Sequence, residues 1–278
     1  MDPQLLLLAG SLLLAGCVAG FSAGLFGIGG GAVMVPVLYF VFGALGYSDA
    51  VIMHTAVATS SAVIIISSIR SVISHHGHGA VDWDILWPGN PVKSWGVWIG
   101  AGALFAAAVL ASRISGAQLT LIFGAMMCLI ALQFIFGRPD WRARETIPGG
   151  LALPVAGGGI GALSALMGIG GGAISVSLMV ICGKSIHRAI GTASGVGMFI
   201  SVPATLGFIY SGWDVAGRPD ASLGYVNVLG FVLVAATSVM FIPLGARTAH
   251  KTDQAKLKMI FGIFLLFVAI NMIRKAVF

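Results

Sequence analysis

Gly27-Ile28-Gly29-Gly30-Gly31-Ala32-Val33 returns later in the chain as Gly168-Ile169-Gly170-Gly171-Gly172-Ala173-Ile174, with six of the seven positions identical. Each copy lies inside an unusually long apolar run, residues 5–42 and 149–183. Glycine at this density breaks a helix, because each one carries a large backbone entropy cost and no side chain to pack. Within a bilayer, broken backbone is tolerated only where it is buried in protein or lines a cavity. Two breaks at corresponding positions of two halves point to a transporter whose site lies between them.

The composition around these knots agrees. Of 278 residues 58% are hydrophobic and only 9% are charged, and the mean hydropathy is +1.01. A soluble domain carries about 25% charged residues, so this chain cannot cover a water-facing surface and the lipid bilayer is its solvent. The net charge of +6 reads as cytoplasmic anchoring rather than nucleic-acid binding. Cys17, Cys128 and Cys182 sit at irregular spacing in apolar runs and read as small buried hydrophobes. Leu14-Ala15-Gly16-Cys17 imitates a lipoprotein cleavage box, but no positive charge precedes it and the apolar run continues beyond it, so it reads as part of the first membrane segment.

Six further apolar stretches, 50–73, 94–112, 117–136, 187–211, 224–246 and 257–277, have the length of one span each. The halves correspond beyond the knots. Upstream, Gly16-x-x-x-Gly20-x-x-x-Gly24 matches Gly157-x-x-x-Gly161-x-x-x-Ala165, a small-residue face on which helix backbones approach closely. Downstream, His54-x-Ala56-x-Ala58-Thr59 matches His187-x-Ala189-x-Gly191-Thr192. Three matches in one order indicate an internal duplication: an N-terminal repeat over 1–136, a cytoplasmic linker over 137–148 and a C-terminal repeat over 149–278.

The distribution of Lys and Arg sets the expected topology. If each knot-bearing run returns to the side it started from, Arg70, Lys93, Arg138, Arg142, Arg144, Lys184, Arg188, Arg247, Lys251, Lys256 and Lys258 share one side, leaving Arg113, Arg218, Arg274 and Lys275 opposite. Positive-inside assigns the larger group to the cytoplasm and both termini to the periplasm. The expected fold is therefore an all-α polytopic membrane protein of two inverted-topology repeats, each a glycine-broken helical hairpin plus three spans.

The chemistry follows from what the spans hold. Gly27-x-Gly29-x-x-Ala32 imitates a dinucleotide fingerprint, with Asp49 further on, but that motif needs a strand-turn-helix unit which this apolar run does not provide. An anion nest fits better: the glycines turn backbone N–H groups toward one point, and a helix starting after each knot adds the positive end of its dipole. The expected substrate-binding set is Gly27, Gly29, Gly30 and Gly31 with Thr59 and Ser60, and Gly168, Gly170, Gly171 and Gly172 with Thr192 and Ser194. No Asp or Glu lies within the spans as an ion carrier. His54, His187 and Arg70 are candidate gating residues. His75, His76 and His78 read as a solvated loop rather than a metal site, and Trp83, Trp87, Trp95 and Trp98 as an interface belt. No nucleophile–base pair stands at helical spacing, so no catalytic residue, no cofactor and no metal are expected. The expected partners are a small anionic substrate and the bilayer, with self-association into a homo-oligomer left open and no nucleic acid.

The motifs resemble those of the sulfite exporter TauE/SafE family of membrane permeases. The resemblance is carried by Gly24-Leu25-Phe26-Gly27-Ile28-Gly29-Gly30-Gly31 with Val35-Pro36, by Met167 through Gly172, by Ala58-Thr59-Ser60 and Gly191-Thr192, and by the loop from His75 through Gly79-Ala80-Val81-Asp82-Trp83. Ala58 and Ser177 depart from the family pattern. The resemblance implies a permease of the bacterial inner membrane for a sulfur-containing anion such as sulfite or an organosulfonate. The sequence leaves a passive anion channel, or a permease for another small anion, as the alternative.

Overall fold

The computed structural model describes residues 3–26, 30–77, 79–137, 149–219, 221–249 and 254–277. Gly27, Ile28, Gly29 and nearly all of the expected linker lie outside the described residues. The described chain is almost wholly helical. It begins with α1 (Pro3–Phe26), α2 (Gly31–Ala44) and α3 (Asp49–His76), followed by the one-turn α4 (Trp83–Leu86). Next come α5 (Trp95–Phe105), continued by a π turn and a 3-10 turn to Arg113, and α6 (Gly116–Phe136). The second series is α7 (Ala152–Met167), α8 (Gly172–Ile181), α9 (Ile186–Ser211), α10 (Val228–Ala249) and α11 (Gln254–Val277). A two-residue hairpin, β1 (Ser222–Leu223) with β2 (Val226–Asn227), precedes α10.

Each series thus reads as a broken pair of helices followed by three long ones. Among the described residues six helices are long and apolar enough to cross a membrane: Asp49–His76, Trp95–Arg113, Gly116–Phe136, His187–Ser211, Val228–Thr248 and Met259–Val277. The arms after the knots are shorter. At about 1.5 Å per residue, the 14 residues of α2 and the 10 of α8 fall short of a hydrocarbon core about 30 Å thick.

The ends of these elements follow local chemistry. Ser48 caps α3 by accepting from the Ala50 amide, Ser94 caps α5 by accepting from Val97, and Ser115 with Gln118 forms a reciprocal capping box at α6. The arms after the knots differ. Gly30 and Gly171, both at positive φ, stand as the N-caps of α2 and α8, and no side chain caps either helix.

Burial separates a core pair from a shell. In α3 and α9, 83% and 67% of the most apolar window is buried, against 33% to 44% for the other four spans. The shell helices turn Leu, Ile and Phe side chains outward, as a lipid-facing surface requires.

Contacts between helices repeat with the two series exchanged. The first helix of each series packs parallel on the second long helix of the other, α1 on α10 and α7 on α5. Gly16, Gly20 and Gly24 of α1 face Val234, Ser238 and Ile242 of α10, while Gly157 and Gly161 of α7 face Trp98 and Ile99 of α5. A Cβ at Gly20, Gly24 or Gly161 would strike the opposing backbone, so the small-residue faces serve as the sequence indicated. Apolar lipid tails give no drive for helices to associate, so close backbone packing of this kind supplies it. The core pair crosses antiparallel, Ser71 meeting Ser194 and Ser68 lying against Gly197. α6 and α11 are also antiparallel, with Gly124 against Ile273 and Gly262 against Ala131 and Ile135.

Candidate functional site

The two knots meet inside the protein. Gly31, the first residue of α2, lies so close to the Gly168 carbonyl that a Cβ there would collide with it, and Ile169 is its next neighbour. Gly168 in turn sits against Val35 and Val57, and its carbonyl accepts a hydrogen bond from Ser60 Oγ at 2.9 Å. Gly168 and Gly171 are both left-handed, at φ 59 and 66, a conformation that any other residue would adopt under strain. Gly30 approaches the Ala19 carbonyl, and Gly171 approaches Ile200 and Ser164. The expected glycines that are described, Gly30, Gly31, Gly168, Gly170, Gly171 and Gly172, are buried.

The expected hydroxyls are engaged in ways that helical spacing did not reveal. Thr59 Oγ1, fully buried on α3, accepts from the Asn227 amide at 2.9 Å. Thr192 Oγ1, fully buried on α9, accepts from the Asp82 amide at 2.9 Å. Each threonine therefore holds a loop that precedes the second long helix of the other series, and keeps its own O–H proton for a donated bond. Ser194 shares a 2.9 Å hydrogen bond with Ser71 and also donates to its own i−4 carbonyl, Ile190.

These two loops are themselves a repeat. Gly79-Ala80-Val81-Asp82 and Gly224-Tyr225-Val226-Asn227 align residue by residue, and both glycines are at positive φ. Each loop has a second tie, again to the other series. Asp82 pairs with Lys184 Nζ at 2.8 Å, and Asn227 Nδ2 donates to the Tyr47 hydroxyl at 3.4 Å. Lys184 and Tyr47 follow Gly183 and Gly46, the positive-φ glycines that close α8 and α2. One latch is ionic and the other neutral. The Gly-x-Val-Asp/Asn repeat was the signal that could have identified both. Gly191 belongs to the ionic latch, because a Cβ there would strike the Ala80 carbonyl.

The candidate gating residues are not brought together. His54 is buried, its Nε2 at 3.0 Å from the Ala111 carbonyl just past the π turn, and its ring stacks on Tyr225 at 5.0 Å. Burial raises the Tyr225 phenol above its ordinary range, partly offset by Arg218, so a neutral ring covers the imidazole. His187 and Arg70 are exposed. His76 Nδ1 accepts from Trp83 Nε1 at 3.2 Å, and His78 lies outside the described residues. Among the described residues no three His, Cys, Asp or Glu side chains converge as metal ligands.

The long apolar helices and their lipid-facing shell define a multi-pass, all-α membrane protein. Its relatives say of what kind. The chain belongs to the sulfite exporter TauE/SafE family, whose profile matches residues 12–272, and it is thus a member of a membrane transporter family. A probable membrane transporter protein of Haemophilus influenzae is 33% identical over 265 residues, covering 95% of this chain and 97% of its own length. One from Methanocaldococcus jannaschii is 25% identical over 283 residues, covering 96% and 98%. One from Xylella fastidiosa is 24% identical over 268 residues, covering 93% and 92%. No solved structure matches the chain.

Proposed function

We propose that this protein is a permease for a small sulfur-containing anion, sulfite or an organosulfonate, in the bacterial inner membrane. The observation that carries the reading is the meeting of two glycine knots from different series, Gly31 against the Gly168 carbonyl. Each knot opens a helix with no side-chain cap. The free amides at such a helix start carry about half a positive charge and bind anions without a counter-charge. The substrate set is the knot glycines, Gly27, Gly29, Gly30, Gly31, Gly168, Gly170, Gly171 and Gly172, assisted by Thr59, Ser60, Thr192 and Ser194. Sulfur as the central atom rests on the family relationship.

The two series are inverted repeats with both termini periplasmic. The antiparallel crossing of α3 with α9 and of α6 with α11 supports this reading, since helices related by an axis in the membrane plane run oppositely. Transport proceeds by alternating access: the Thr192–Asp82 latch closes the cytoplasmic end and the Thr59–Asn227 latch closes the periplasmic end. Purified protein in liposomes is expected to take up labelled sulfite or a sulfonate with saturation and counterflow. Flux equal to that of empty liposomes rejects the reading, and non-saturating flux assigns a pore instead.

A further inference from the structure

The second knot carries two serines that neither the repeat nor the fold explains. Ser175, on the first turns of α8, and Ser164, on α7 beside Gly171, are 3% and 1% exposed. Neither hydroxyl has a hydrogen-bond partner. Some helical hydroxyls return to their own i−4 carbonyl: Thr55 to Val51, Ser61 to Val57, Thr120 to Gly116 and, on α8 itself, Ser177 to Ala173. The hydroxyls of Ser201, Thr205 and Ser211 on α9 and Ser238 on α10 are buried without a partner, as those of Ser164 and Ser175 are. What sets the last two apart is their place on either side of the Gly171 turn. A buried hydroxyl without a partner is unfavourable, so two flanking one uncapped helix start point to a ligand. At the matching positions of the first knot stand Ala23 and Met34, so the feature belongs to the second knot alone.

Ser175 also lines a small cavity between α5, α7, α8 and α9, whose other walls include Trp95, Ile99, Ile160, Met179 and Val196. The cavity is apolar apart from the serine and has room for about one water-sized group. We propose that the anion binds asymmetrically, at the second knot. The Ser164 and Ser175 hydroxyls and the α8 amides hold its oxygens, and the apolar cavity receives its oxygen-free side. This refines the proposed function and rests on it. The chemistry selects an anion with three oxygens and one apolar face: a sulfonate with a short carbon arm, or sulfite, whose fourth side is a lone pair. Sulfate and phosphate would bury a fourth oxygen against Ile99, Met179 and Val196 with no donor, which is unfavourable.

The test is competition for labelled sulfite uptake by the full chain in liposomes, using methanesulfonate, butanesulfonate and sulfate. Methanesulfonate is expected to compete at least tenfold better than sulfate. Ser175→Ala is expected to weaken methanesulfonate about tenfold, in line with loss of a hydrogen bond to a charged group, while Ser177→Ala leaves it unchanged. Val196→Ala, which enlarges the cavity, is expected to improve butanesulfonate relative to methanesulfonate even if it lowers overall flux. Equal competition by sulfate, or full affinity in Ser175→Ala together with an unaltered chain-length preference in Val196→Ala, overturns the asymmetric site while leaving the permease reading intact. A folded wild type that moves neither sulfite nor any sulfonate overturns both.

Discussion

Replacing Thr59 or Thr192 with valine keeps the shape of the side chain and removes one acceptor, so each substitution loosens one latch. The amide left without a partner costs about 1–3 kcal/mol where it stays dry, a 5- to 150-fold change in a two-state equilibrium. The two ends differ in where they fall within that range. Asn227 is 4% exposed and its other tie to the first series, to Tyr47, is long at 3.4 Å, so Thr59→Val belongs near the upper end. Asp82 is partly exposed and is also held at 2.8 Å by Lys184, whose side chain is 34% exposed, a pair worth about 0.2–1 kcal/mol. Water reaching the Asp82 amide places Thr192→Val near the lower end. The assay is labelling by a membrane-impermeant maleimide in a background where Cys17, Cys128 and Cys182 are serine. Single reporters are placed at Val226→Cys beside one latch and at Val81→Cys beside the other. When opening is fast, the labelling rate follows the open population. Thr59→Val is expected to accelerate the reporter at 226 by well over tenfold and to slow the one at 81. Thr192→Val is expected to accelerate the reporter at 81 by about fivefold and to slow the one at 226. Changes below twofold, or both variants accelerating the same reporter, refute the reasoning.

Other outcomes follow from the same contacts. Gly161→Leu should drive a side chain into the Ile99 carbonyl and lower the thermal midpoint in detergent by the equivalent of about 1–3 kcal/mol. Gly159→Ala, with nothing within 4 Å of its Cβ, should raise that midpoint slightly, by about 0.4–1 kcal/mol. Asp82→Lys and Lys184→Asp should each raise labelling at Val81→Cys, and the double exchange should restore the wild-type rate if the pair closes that end. Alkaline phosphatase fused after Phe278 should be active and green fluorescent protein dark if the C-terminus is periplasmic, as we propose from the charge count; the opposite pattern rejects the topology.

The long spans and the close helix pairs were legible in the sequence because both are written in composition: apolar length sets a span, and glycine four apart sets a backbone contact. The knots were legible as breaks for the same reason, and Gly31 does meet Gly168. Three things were not. The engagement of Thr59 and Thr192 depends on loops 168 and 110 residues away in sequence, and helical periodicity carries no information about such a partner. His54 and His187 occupy matching positions but different surroundings, because the π turn before Ala111 brings a carbonyl to His54. Ser164 and Ser175 look like ordinary small residues until their lack of any partner is seen in three dimensions.

The central claim is that the paired knots form the path of an anion. Uptake of labelled sulfite into liposomes by wild type and Gly31→Val, with insertion and folding of both verified by circular dichroism and size-exclusion chromatography, tests it most directly. The account predicts saturable uptake by the wild type and none by Gly31→Val, whose side chain would be forced into the Gly168 carbonyl. Equal uptake by the two folded proteins would contradict it.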